Sequence, residues 1–169
     1  MNGVIDAYCE RLNASFWAEP INALTNLAFL VAAYLLFKHL RYTNDWPALA
    51  LTALIAMSGG GAFLFHTYAT SWAALADVLP IMLFMITAVG IGLHRRFGLD
   101  VQAACLGAVV FFFAIAIIGF SPLVVLLPRG SASYLPALIT LGLFAFFLTI
   151  RSNPFAIFFL AAAPLFADT

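Results

Sequence analysis

The chain has 169 residues, of which 65% are hydrophobic and only 8% charged, and its net charge at pH 7 is zero. A soluble domain covers its surface with about 25% charged residues, so lipid, not water, is the solvent this composition fits. The balanced charge, with no basic run, argues against a nucleic-acid surface, and two cysteines are too few for a disulfide scaffold or a thiolate metal site.

Residues 1–20 lack the basic start and apolar core of a signal peptide and carry Asp6, Glu10 and Glu19. The first apolar segment is therefore expected to stay in the mature protein. A membrane span needs about 20 mostly apolar residues. Six candidate spans follow in order: Ile21–Leu40, Trp46–His66, Trp72–Leu93, Val101–Phe120, Ala132–Ile150 and Pro154–Phe166. The connections are short and polar, as expected at membrane surfaces. Runs such as Val109–Ile118 are apolar on every face, whereas barrel strands alternate. The expected fold is all-α: one polytopic transmembrane helix bundle over residues 1–169, with an acidic N-terminal segment.

Lys38, Arg41, Arg95, Arg96 and Arg151 fall on the first, third and fifth connections, and only Arg11 and Arg129 on the other side. This bias predicts that the odd connections are cytoplasmic and that the N-terminus is periplasmic, extracellular or lumenal. The sixth segment is short, and the sequence stops just after it, which suggests a further helix beyond Thr169. Cys9 is expected outside and Cys105 near the cytoplasm, too far apart to pair.

Polar residues at membrane depth are costly, so each is a candidate site. Asp6, Glu10, Asn13, Glu19 and Asn22 cluster before or at the first helix, and their oxygens suit calcium. Pro20 fits a first-turn position and places Glu19 at a helix N-terminus. A solvated acidic segment with a helix cap is the plainer alternative. His66 ends the second span in Gly59-Gly-Gly-Ala-Phe-Leu-Phe-His66, where the glycines allow another helix to approach closely. Imidazole is a common metal ligand, although a lone interfacial histidine can also serve only as an anchor. Asp77 follows in Leu75-Ala-Asp-Val-Leu-Pro80, either as a displaced cap or as a partner of His66. Antiparallel second and third helices bring the two to one side of the membrane, where they can form a ligand and a proton acceptor.

Asp6-Ala-Tyr-Cys-Glu10, Phe16-Trp-Ala-Glu-Pro-Ile-Asn22 and Thr25-Asn26 together resemble the N-terminal signature of the alkaline ceramidase family. Phe65-His66, followed by Ala76-Asp77 and Pro80, resembles its second motif. That family belongs to a superfamily of seven-helix membrane hydrolases that includes the adiponectin receptors. The likeness covers residues 6–80. It implies a zinc-dependent amidase acting on a lipid amide such as ceramide, with His66 as one of three histidine ligands and Asp77 as general base and acid. It also implies calcium bound by Glu10 and Glu19, with Asp6, Asn13 and Asn22 as further ligands.

The family's other two zinc histidines form a His-x-x-x-His pair on a seventh helix. Here the remaining histidines are His39 and His94, both expected on the opposite side from His66, so this chain is expected to be inactive alone. Ala62 stands where the family commonly has a serine, a position suited to an oxyanion donor. A non-catalytic receptor or lipid-binding protein on the same scaffold is the alternative reading.

Overall fold

A computed structural model describes residues 5, 10–119, 138–140, 142–143 and 146, which are helices and their connections with no strand among them. The chain forms two compact units, Met1–Phe112 and Phe113–Thr169. The first carries every candidate site residue.

The first expected span is two helices end to end, α1 (Pro20–Thr25) and α2 (Leu27–Leu40). Glu10 supplies the N-terminal cap of α1. Its carboxylate accepts from Ile21 N at 2.8 Å and from Asn22 N at 3.1 Å, two amides that have no partner inside the helix. The break falls at Asn26 because side chains capture a helix carbonyl. Asn26 Nδ2 and Thr25 Oγ1 both donate to Asn22 O, at 2.8 and 2.9 Å.

Helix α3 (Trp46–Tyr68) begins at Asp45, whose carboxylate accepts from Ala48 N at 3.1 Å. It ends at Ala69, which takes the left-handed conformation (φ 47°) usually left to glycine. Burial and a 2.7 Å bond from Ile5 N to Ala69 O hold it there.

Helix α4 (Ser71–Phe97) runs past the expected boundary at Leu93. His94, Arg95 and Arg96 suit the negative end of a helix dipole, and Gly98, at φ 72°, stops it. Helix α5 (Val101–Gly119) starts after Asp100, whose side chain accepts from Ala103 N at 2.9 Å.

Three stretches are long and apolar enough to cross a membrane: Pro20–Leu40, Trp46–Tyr68 and Ser71–Phe97. Leu35, Leu75, Leu79 and Leu106 are exposed, as lipid-facing side chains would be. The fourth expected span corresponds to α5, whose apolar stretch is shorter, Val101–Ile117. The expected spans Ala132–Ile150 and Pro154–Phe166 lie outside the described residues, apart from the helical positions 138–140, 142–143 and 146.

Small residues make the helix contacts, as in membrane bundles where dispersion replaces the hydrophobic drive. Ala23, Ala33, Ala73 and Ala104 are buried. Helix α3 touches α1, α2 and α4, and its glycines divide the work. A methyl group at Gly59 would sit 2.7 Å from Phe29 Cβ of α2, one at Gly61 would strike the Ala76 carbonyl of α4, and one at Gly60 would meet nothing. Pro80 explains the second contact: it has no N–H to offer Ala76, so that carbonyl is left for a neighbouring helix to approach.

Candidate functional site

The C-terminal end of α3 carries a buried ionic cluster assembled from three parts of the chain. Glu19, the residue before α1, is 2% exposed, Arg11 6% and His66 8%. Burial at this level requires every charge to be paired. Glu19 divides its carboxylate between the other two: Arg11 Nε donates to Oε1 and His66 Nδ1 lies against Oε2, each at 2.5 Å. Arg11 also donates through Nη2 to the main-chain carbonyl of His66 at 2.8 Å and through Nη1 to Asn13 O at 3.4 Å. Arg11 thus fixes the end of α3 and the N-terminal segment to each other, at a helix terminus that favours positive charge.

A carboxylate can only accept. Beside an ionised Glu19 the Nδ1 nitrogen is the donor, and Nε2 is the nitrogen through which a neutral His66 could bond a metal.

Asp77 stands on α4, with its main-chain amide against Gly61 of α3. The two helices are antiparallel, so Asp77 lies about one and a half turns deeper than His66 along the hairpin. Its carboxylate is partly exposed and within electrostatic reach of His66. The structure thus brings His66 and Asp77 to the same end of the hairpin. Ala62 is one turn before His66 and is half-buried.

The remaining expected residues are engaged locally. Glu10 caps α1, and Asn13 Oδ1 accepts from Ser15 N at 2.9 Å. Asn22 contributes its main-chain carbonyl to Thr25 and Asn26. Asp6 and Cys9 lie outside the described residues. Glu19 is at the helix N-terminus as expected, but its side chain turns to Arg11 and His66 and Glu10 does the capping. Among the described residues no group of three or more His, Cys, Asp or Glu gathers to hold a metal.

Around the cluster lies an aromatic band. Phe16 packs edge-on against Trp17 and Tyr68, with ring centroids 5.2 and 5.3 Å apart, and Tyr68 lies 5.6 Å from Trp72. Trp17, Tyr68 and Trp72 are about half exposed. In membrane proteins such rings are enriched at the level of lipid headgroups.

At the other end of the hairpin Arg95 grips Asp45 with two bonds, 2.6 and 2.7 Å. Beside them is a cavity of about 610 Å³ lined by Pro47, Ile86, Gly90, His94, Arg95 and the free, exposed Cys105, among others. His39 and His94 are at the C-terminal ends of α2 and α4. That end is separated from His66 by most of the length of α3, roughly 30 Å at 1.5 Å per residue.

Sequence reading missed Arg11, which it used only as a charge for topology. The available signal was a single arginine within a cluster of carboxylates that lipid would otherwise leave unpaired. Comparison with family models, with curated proteins and with solved structures gives no match.

Proposed function

We propose that this chain belongs to a membrane-embedded hydrolase of lipid amides such as ceramide, in which His66 is one of the zinc ligands and Asp77 moves the proton. One observation supports this above the others: His66 is buried, its Nδ1 is held by a carboxylate, and Asp77 stands at the same end of the α3–α4 hairpin. Histidines that bind metal through one nitrogen commonly donate to a carboxylate through the other.

His66 Nε2 fits one corner of a zinc site. A catalytic zinc takes about three protein ligands, and the other two would come from outside the described residues, because His39 and His94 are at the far end. Zinc, when bound, supplies a water acidified towards neutral pH. In this reading Asp77 would accept a proton from the attacking water and return it to the departing amine nitrogen. The aromatic band sets this chemistry at headgroup depth, where the amide of a sphingolipid-type substrate lies, and the apolar helix faces receive its chains. The clustering of Lys38, Arg41, Arg95 and Arg96 at the opposite end supports an N-terminus outside the cytoplasm.

Asp77→Asn in the full-length protein should lower hydrolysis of a fluorescent ceramide by about 10²–10⁴, the usual contribution of general acid–base catalysis. His66→Ala should abolish it. Undiminished turnover by Asp77→Asn would reject the assignment.

Calcium in the N-terminal segment, held by Glu10 with Asp6, Asn13 and Asn22, is a separate proposal that rests on residue type and spacing; Glu19, expected among these ligands, has both oxygens engaged by Arg11 and His66. Its test is calcium-dependent thermal stabilisation, which Glu10→Gln should reduce. Ala62, which brings no hydroxyl one turn before His66, favours a second reading, a lipid-binding or receptor protein. Binding of ceramide without turnover by the purified full chain would support it.

A further inference from the structure

Glu19 touches both a buried cation, Arg11, and the candidate metal ligand, His66. We infer that Glu19, locked by Arg11, is a positioning residue for His66: it fixes the tautomer and the ring rotation that aim Nε2 at the metal. The inference rests on the proposed role of His66 and gives Glu19 a role distinct from that of a calcium ligand.

The geometry is a closed ring of contacts. Arg11 Nε donates to Glu19 Oε1, Glu19 Oε2 lies against His66 Nδ1, and Arg11 Nη2 donates to the His66 carbonyl. Both the backbone and the ring of His66 are therefore referred to one ion pair. One contact to Arg11 and one to His66 engage both Glu19 oxygens, so a rotation of Glu19 would turn the imidazole with it. Arg11 also puts a positive charge directly against the Glu19 carboxylate, which disfavours a divalent cation on the same oxygens. The cluster buries charge, a costly arrangement, and the ring it holds belongs to the one histidine at this end of the bundle.

The test uses the full chain, purified in detergent with calcium chelated. Zinc affinity is read by competition with a chromophoric chelator, and the His66 tautomer by ¹⁵N shifts of histidine-labelled, zinc-free protein. Wild type should show Nδ1–H. Glu19→Ala should lose that signature and bind zinc about 10–100-fold more weakly, the usual effect of removing such a partner. Glu19→Gln has one accepting oxygen for two donors, Arg11 Nε and His66 Nδ1, so it should weaken zinc binding and shift the imidazole towards Nε2–H, and it carries the test if the alanine variant does not fold. A wild-type ring protonated on Nε2, or unchanged zinc affinity in both Glu19 variants, would overturn the inference. His66→Ala is the reference. If it binds zinc as tightly as wild type, the metal reading itself fails; if it loses zinc while the Glu19 variants keep it, only the positioning role fails.

Discussion

The two ends of the α3–α4 hairpin each carry an arginine–carboxylate pair, and the pairs differ in their surroundings. At the His66 end, the Arg11 and Glu19 side chains are 3% and 2% exposed. At the other end Arg95 and Asp45 are 45% and 30% exposed. Bond lengths are similar, yet the consequences are not. An exposed pair is screened and contributes little. In a buried pair each charge depends on the other, because water is not there to replace a lost partner. Losing one partner should therefore cost more at the first end than at the second.

The largest effect should come from leaving one buried charge alone. Arg11→Met strands Glu19 and should destabilise the fold by about 3–5 kcal/mol, measured by thermal or denaturant unfolding in detergent. Adding Glu19→Gln removes the stranded charge. The double variant should be more stable than Arg11→Met alone, a non-additivity expected only of residues in contact. Strict additivity would show that the two do not form a pair.

Next in size is the helix contact beneath the site. Gly61→Ala sets a methyl group against the main chain at Ala76, and backbone cannot move aside as a side-chain tip can. The cost should be roughly 1–3 kcal/mol or more, as for an overpacked core. Gly107→Ala, at the other end, meets only the terminal methyl of Leu93, which can rotate away, and should cost clearly less. Gly60→Ala meets nothing and should be neutral or slightly stabilising. Equal melting temperatures for Gly61→Ala and Gly60→Ala would remove the tight α3–α4 contact.

The same contrast separates what could be read from the sequence from what could not. The apolar stretches of α2, α3 and α4 were legible because length and composition alone decide whether a helix can span a bilayer. The close approach at Gly59 and Gly61 was legible as a glycine run, but which glycine faces which helix depends on rotation about α3, and Gly60 faces neither neighbour. The α1–α2 break was not legible. It depends on whether Asn26 bonds its own backbone or a neighbour, and either choice suits an asparagine. His66 and Asp77 were identifiable as polar residues in apolar segments. The tie of His66 to Glu19 and Arg11 was hidden, because it spans 47 and 55 residues of separation and no local rule links such positions. The extension of α4 through Arg96 was readable in hindsight from three basic residues followed by glycine.

The smallest effect should come from the exposed pair, and pH isolates it. Arg95 beside Asp45, helped by the Ala48 amide, lowers the Asp45 carboxyl from its ordinary 3.8 to about 2. A carboxyl held low in the folded state stabilises that state wherever it is ionised. The contribution is therefore complete above about pH 4, declines as pH falls below 3.8, and is gone once pH has passed below about 2. Asp45→Asn keeps an oxygen for the Ala48 amide, so the helix cap survives while the charge is lost. The gap in melting temperature between wild type and this variant should be small at pH 6, should close between about pH 4 and pH 2, and should shrink at any pH in 1 M salt, where screening acts over about 3 Å. At the buried end the Arg11→Met deficit should change little with salt, since ions do not reach it. If salt reduced both deficits alike, the two ends would share one environment and the contrast between them would be lost.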